Sequence, residues 1–323
     1  MNLINVTSNK LSSITSQMTR ALPSCFRVTA IKASISPKGN QVMVAQLSHF
    51  QADIKVMWQT KPQENRVSEG DIVEIIFETD IRSYDGMLIV DGLSLLSSPS
   101  HTINLFHTVP RSWVKQHQLI INAAQLFERL PEYFKALLFG ALWNSDRFKR
   151  FLTGPSSMKG HHHYLNGNLI HTLDVIERAI AISAQSPKAN LGIVMMGAWM
   201  HDIGKADEYV FDQEKSCFGM SERGVLVGHK ISAIEWLCSA KAKYDIQVPD
   251  QIWMSLLHTL TAVKGAPDWM GLREPMTPES LIISTADRLS GQHDLLEQTA
   301  TELDGFGKYH RHLKGRPYVL ASL

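Results

Sequence analysis

A chain of 323 residues, 44% hydrophobic and 20% charged, has the apolar content for a core and the length for two domains. Its formal net charge of +1 excludes a globally basic nucleic-acid coat, so a polyanion would have to be held by a local patch or by metal. The three scattered cysteines, Cys25, Cys217 and Cys238, argue against a disulfide framework or a thiolate zinc site and fit a reducing cytoplasm. No apolar run or signal-like start points to a membrane.

Residues 1–20 are polar and read as a loose arm. From 21 to 98 the pattern is strand-like: Phe26, Val28 and Ala30 alternate with polar residues, and Pro37-Lys38-Gly39-Asn40 turns the chain into Gln41 to Leu47. Ala52 to Trp58, Ile72 to Glu78 and Met87 to Leu93 are further strands, separated by the turn chemistry of Glu69-Gly70-Asp71 and Tyr84-Asp85-Gly86. Five short strands predict a small β-barrel compatible with an OB-fold, whose open face binds single strands by aromatic stacking and a basic groove. Lys32, Lys55, Trp58, Arg82 and Tyr84 are candidates for that face. The alternative is a core Trp58 among ordinary surface charges. Ser97-Ser98-Pro99-Ser100 marks a domain boundary.

The segment 99–150 reads as a helical connector, since after Arg111 apolar residues recur at three-to-four spacing. Helices are predicted over Asn168 to Ser183, Leu191 to Asp202, Val225 to Lys243, Pro249 to Thr261 and Pro278 to Gly291, with Thr277-Pro278 as a good helix start and Asp287 near the end of the last.

The chemistry centres on His201-Asp202, which closes the apolar run Ile193 to Met200 and continues as Ile203-Gly204-Lys205. An imidazole beside a carboxylate can bind a divalent ion, with the carboxylate reaching the same ion or bridging to a second, which suits phosphoester hydrolysis. His171, in a mainly apolar helix, and the later Asp287 complete two histidines and two carboxylates from three helices.

The order His, His-Asp, distant Asp, all on helices, resembles the HD-domain metallohydrolases. The stretch His161-His162-His163-Tyr164-Leu165-Asn166-Gly167, Gly228-His229, and Trp269 before Pro275-Met276-Thr277-Pro278-Glu279 are similar to the YhaM-type 3′-5′ exoribonucleases, which also place an OB-type module before the HD domain. The resemblance implies an α+β multidomain chain: an OB-fold-like nucleic-acid-binding barrel, then an all-α HD metallohydrolase domain over 151–323 with a basic C-terminal segment. It implies His171, His201, Asp202 and Asp287 as ligands of a first divalent ion, with Asp202 able to bridge and His229 belonging to a second. Manganese leads among Mn, Fe, Zn, Ni and Mg. The implied substrate is single-stranded RNA or DNA, and an oligomer is compatible with the chain.

The sequence departs from the family after His258. Where a Ser-His-His-Gly segment is usual it reads Ala262-Val263-Lys264-Gly265, so both histidines are missing and one ion is expected rather than two. His258 is then either a compensating ligand or structural, and Lys264 either contacts phosphate or points outward. His161 and His162 either contact phosphate or hold their loop. Lys205, grouped with Asp202 and His229 as a catalytic candidate, either contacts phosphate or caps a helix end. The tail Lys308 to Tyr318, which includes Arg316, is the densest basic stretch, interleaved with aromatics; it is either a polyanion-binding surface or a solvated face. The resulting expectation is a metal-dependent 3′-5′ exonuclease. The rivals are a nucleic-acid-binding accessory protein with a weakened HD core, an HD-type relaxase, and a nucleotide phosphohydrolase.

Overall fold

The computed structural model describes residues 12–13, 22–36, 39–59, 67–77 and 82–320. Pro37 and Lys38 of the expected first turn, Glu78, and all of the expected arm except Ser12 and Ser13 lie outside the described residues. The chain divides into two units, Met1–Gln125 and Leu126–Leu323.

In the first unit, β1 (Ser12–Ser13), β2 (Phe26–Ile35), β3 (Gln41–His49), β4 (Ala52–Trp58), β5 (Ile72–Ile76), β6 (Arg82–Tyr84), β7 (Met87–Ile89) and β8 (Gly92–Leu95) form one sheet in the order β1-β6-β7-β4-β3-β2-β5-β8. The period-two alternation turns Phe26, Val28, Leu47, Val56, Trp58 and Val73 to one face, where they pack as a core. The expected strand Met87 to Leu93 is divided in two for a reason visible in its hydrogen bonds. The Val90 N–H donates to Met57 O on β4, while the next N–H, of Asp91, donates to Ile76 O on β5, at 3.0 Å each. One bent stretch thus serves two strands and curls the sheet around its core. The Asp85-Gly86 turn joins β6 to β7 with φ of 49° and 73°, the primed-turn conformation that matches strand twist.

Trp58 requires a correction. It is 4% exposed inside the sheet core, because it shares the inward parity of Ile54 and Val56, and does not lie on a stacking face. Lys32, Lys55 and Arg82 are exposed and Tyr84 is half-buried.

The second unit is helical except for short hairpins. Helix α1 (His117–Glu128) spans the division between the units and is followed by α2 (Glu132–Ala141), α3 (Ser145–Thr153), α4 (Gly167–Ser183) and α5 (Leu191–Met200). Asn144 and Asn190 cap α3 and α5 through their side chains, offsetting the orphan N–H groups of the first turn. Every residue of α5 from Ile193 to Met200 is buried, as a helix apolar on all sides must be. A turn and the short α6 (Lys205–Glu208) follow, then a hairpin of β9 (Tyr209–Asp212) and β10 (Cys217–Met220), which the sequence reading did not foresee, and α7 (Glu222–Leu226). Helices α8 (His229–Lys243), α9 (Asp250–Thr261) and α10 (Pro278–Thr299) complete the core, and a terminal hairpin pairs β11 (Gly305–Phe306) with β12 (Tyr318–Val319). The buried α5 packs against α2, α4, α9 and α10.

Two predicted helix limits change. Val225 to Lys243 is broken at Gly228, whose φ of +76° ends α7 and lets His229 start α8. The last core helix runs on past Gly291 to Thr299, which places Asp287 in mid-helix. Gly291 is no stop signal: a Cβ there would come 3.0 Å from His161 Nδ1, so the glycine makes room for that ring.

Candidate metal centre

The end of α5, the second turn of α4 and the middle of α10 bring His171, His201, Asp202 and Asp287 together, with one ligand atom from each within 4.8 Å of all the others. His171 Nε2 lies 3.1 Å from Asp287 Oδ1 and 3.4 Å from Asp202 Oδ2, and His201 Nε2 lies 3.3 Å from His171 Nε2. His201 Nε2 is also 3.4 Å from Asp202 Oδ2. Thr277 caps α10 in a reciprocal capping box, and Pro278 at its first turn fixes the start of the helix that carries Asp287.

The outer hydrogen bonds decide where the lone pairs point. His201 Nδ1 lies 2.7 Å from Ala198 O, a carbonyl that only accepts, so Nδ1 carries the proton and Nε2 presents its lone pair to the cluster. His171 Nδ1 lies 3.0 Å from Ser290 Oγ, and Ser290 also helps Arg178 hold the Asp174 carboxyl below its usual range against the opposing effect of burial. With the serine oxygen accepting from His171 Nδ1, the second Nε2 lone pair is available to an ion; with the proton on Nε2, the ring donates to Asp287 Oδ1 at 3.1 Å instead. Two carboxylates and two imidazoles converge, a donor set suited to a small divalent ion. Asp174 and Ser290 were missed in the sequence. Each sits three residues from a ligand on the same helix, His171 or Asp287, and that spacing is the signal that could have found them.

Asp202 has two differently occupied oxygens. Oδ2 accepts from Lys205 Nζ at 2.5 Å and faces both ligand histidines; Oδ1 faces His229 Nε2 at 3.4 Å. Burial opposes its ionisation, but the Lys205 ammonium, followed by His201, holds the Asp202 carboxyl well below the usual range. Asp287 is also held low: burial opposes, and the His171 hydrogen bond and the His201 charge outweigh it. Lys205 is itself buried and also donates to Ser156 Oγ at 3.2 Å. His229 is oriented by Glu208, another residue missed in the sequence, whose Oε2 accepts from both its Nδ1 (2.6 Å) and its backbone N–H (2.7 Å). The start of α8 can approach this closely because residue 204 is glycine; a Cβ there would meet His229 O at 2.0 Å.

His161 and His162 lie beside the cluster, their ring centroids 4.8 and 5.4 Å from that of His171. Burial pushes both down to about 4, so both are neutral at pH 7. Asp294 accepts the His162 N–H at 2.7 Å, and Tyr164 OH lies 2.9 Å from His162 Nδ1. The Nε2 atoms of both rings are buried with no partner among the described residues, the kind of orphan that a bound group satisfies.

The other candidates sit elsewhere. His258 Nε2 accepts from the Met276 N–H at 3.0 Å, and Lys264 is exposed. The Arg316 guanidinium donates to Gly307 O and Phe306 O, so it holds the terminal hairpin together. Among the described residues, the His171, His201, Asp202 and Asp287 set is the one cluster of three or more metal-type donors.

Residues 168–292 match the HD domain family model. The chain is 20% identical over 280 residues to the 3'-5' exoribonuclease YhaM of Geobacillus sp. (strain WCH70), covering 84% of this chain and 82% of the relative. It is 23% identical over 150 residues to YhaM of Bacillus licheniformis, covering 46% of each chain. The matched segment contains all four converging donors, and HD domains bind divalent metals. No helix among the described residues is long and apolar enough to cross a membrane. A curled N-terminal sheet is thus followed by a helical region that matches the HD domain model, and the chain has low-identity similarity to the YhaM exoribonucleases over most of its length.

Proposed function

We propose that this protein is a metal-dependent 3′-5′ exonuclease of single-stranded RNA or DNA. The observation that carries the reading is the convergence of His201 and His171, beside Ala198 O and Ser290 Oγ, on Asp202 and Asp287. His171, His201, Asp202 and Asp287 would hold one divalent ion, manganese first. When bound, such an ion polarises a phosphoryl oxygen and lowers the pKa of water. Lys205 fixes the Asp202 carboxylate at Oδ2, and His229, oriented by Glu208, offers Nε2 beside Oδ1 as a proton acceptor. The unpartnered Nε2 atoms of His161 and His162 are suited to the phosphate. Lys55, with Lys32 and Arg82, gives the sheet exposed positive charge for the strand. The cytoplasm is the proposed compartment, since unpaired thiols at Cys25, Cys217 and Cys238 persist in reducing conditions.

End-labelled single-stranded RNA and DNA, incubated with Mn, Mg, Zn, Fe and Ni ions, test the proposal by polarity and product size. Asp202→Ala is expected to abolish hydrolysis. A folded variant that cleaves at the wild-type rate would refute the assignment.

The placement of His258 on the Met276 amide and the exposure of Lys264 favour a second reading, an accessory nucleic-acid-binding protein with weakened catalysis. One tightly held ion without hydrolysis of either single strand would establish it, and hydrolysis would exclude it.

A further inference from the structure

The terminal hairpin segregates charge. From Gly305 onward the chain carries Lys308, Arg311, Lys314 and Arg316 and no carboxylate side chain, a charge of +4. The whole chain is +1, so the remainder is +1 − 4 = −3. The carboxylates nearest in sequence, Glu302 and Asp304, precede the hairpin. Lys308, Arg311, Lys314 and Arg316 are all exposed, but the Arg316 guanidinium is engaged within the hairpin by Gly307 O (2.8 Å), Phe306 O (3.1 Å) and the Phe306 ring.

Aromatic rings accompany these cations on the surface. Phe306, Tyr309 and Tyr318 are 60%, 66% and 58% exposed, and Phe306 and Tyr318 are cross-strand partners with ring centroids 4.9 Å apart. Leaving three rings so exposed on one short element has an energetic cost unless they meet a partner with flat apolar faces. The hairpin is also anchored. The Lys308 N–H donates to Thr299 O at the end of α10, and Gly307 lies so close that a Cβ would meet Thr299 O at 2.0 Å. Asp287 is on the same helix, and at ~1.5 Å per residue the 12 residues from Asp287 to Thr299 span about 18 Å.

We propose that the hairpin from Gly305 to Val319 is a sequence-tolerant clamp for the backbone and bases of a single-stranded nucleic acid whose end lies in the metal centre. Lys308, Arg311 and Lys314 take phosphates, and Tyr309 and the Phe306–Tyr318 pair stack on bases. The inference rests on the nuclease reading for its substrate. At the ~3.4 Å rise per nucleotide of a duplex strand, about five nucleotides bridge the ~18 Å, and fewer do in an extended strand. A 20-mer is therefore long enough to occupy the metal centre and the clamp together.

The test is fluorescence anisotropy of labelled 20-mer uridylate and thymidylate on the full chain in EDTA, which reads binding independently of hydrolysis. For Lys308→Ala/Arg311→Ala/Lys314→Ala, Kd is expected to rise on the order of tenfold at ~0.1 M salt. The slope of log affinity against log salt should fall by about 2, the value for three lost single-strand phosphate contacts. Tyr309→Ala should raise Kd roughly fivefold or more. Unchanged Kd and salt slope in variants with wild-type circular dichroism and melting would overturn the clamp, even if hydrolysis is found. Weakened binding by a protein that hydrolyses nothing would keep the clamp and remove the nuclease reading.

Discussion

Ser290→Ala isolates the orientation of a ligand from the ligand itself. Ser290 is fully buried on α10, 3.0 Å from His171 Nδ1, and touches none of the converging lone pairs. Without the hydroxyl, two responses are open to the imidazole, which is also fully buried. If the proton stays on Nδ1, a buried donor is left unsatisfied, at about 1–3 kcal/mol of folding stability. If it moves to Nε2, Asp287 Oδ1 at 3.1 Å accepts it and the fold keeps its hydrogen bonds, but the lone pair is lost to the centre. Loss of such an outer partner lowers metal affinity ~10–100-fold, or about 1.4–2.7 kcal/mol. The two responses separate experimentally. Competition with a fluorescent chelator reads the manganese affinity, and melting with and without metal reads the stability and the metal-linked gain. The second response is expected, because the Asp287 carboxylate is already in place to accept the proton. The apo melting temperature should then stay near wild type while metal affinity falls. Affinity within twofold of wild type, with apo melting also unchanged, would refute the orientation of His171 by Ser290.

Trp58→Phe is expected to leave single-strand affinity unchanged and to lower the stability of the β-unit, since the ring is 4% exposed in the sheet core; a weakened Kd in anisotropy would return it to the binding face. His49 gives the first unit a pH dependence of defined sign. Burial, then the neighbouring His107, pushes it from 6.5 down to about 4. As pH falls below 6.5 the unfolded chain takes up a proton that the folded ring refuses, so this contribution is complete above pH ~7 and is lost toward pH ~4. His49→Asn, which keeps an acceptor for the Gln51 N–H, should flatten the fall of the urea midpoint between pH 7 and 4.5; an equally steep variant would contradict the assignment.

The parts of the fold readable in the sequence were those set by local periodicity. The strands from Gln41 to Trp58 alternate strictly enough that their inward parity follows, whereas in β2 a register shift between Val28 and Ala30 turns Ile31, rather than the expected Ala30, toward the core. What escaped was long-range. Nothing local in Val90-Asp91 says that successive N–H groups will bond different strands. Gly291 reads as a helix end until His161, distant in sequence, is seen to need the space. The four converging donors were legible because His171, His201-Asp202 and Asp287 follow one another on helices in the order that carries the HD-domain resemblance. Their orienting partners were not: a serine at 290, a carboxylate at 174 and Glu208 in a four-residue helix are ordinary residues whose roles appear only when their atoms meet.

The charges in direct contact at the centre bear on how many ions it holds. Asp202, Asp287 and Glu208 are carboxylates, and Asp202 is paired with the buried Lys205 ammonium. Three negative charges and one positive leave −2 when the histidines are neutral, and a single dication neutralises that in a site where an uncompensated charge is costly. A second dication beside Asp202 Oδ1 and His229 Nε2 would leave +2 without another carboxylate to meet it. The family histidines replaced here by Val263 and Lys264 are neutral ligands, so they would not have supplied that charge, but they would have supplied donors. The departure thus removes coordination, and the buried lysine removes the electrostatic demand. Under the proposed nuclease reading, the missing donors and the Lys205 charge on Asp202 each favour one ion over two.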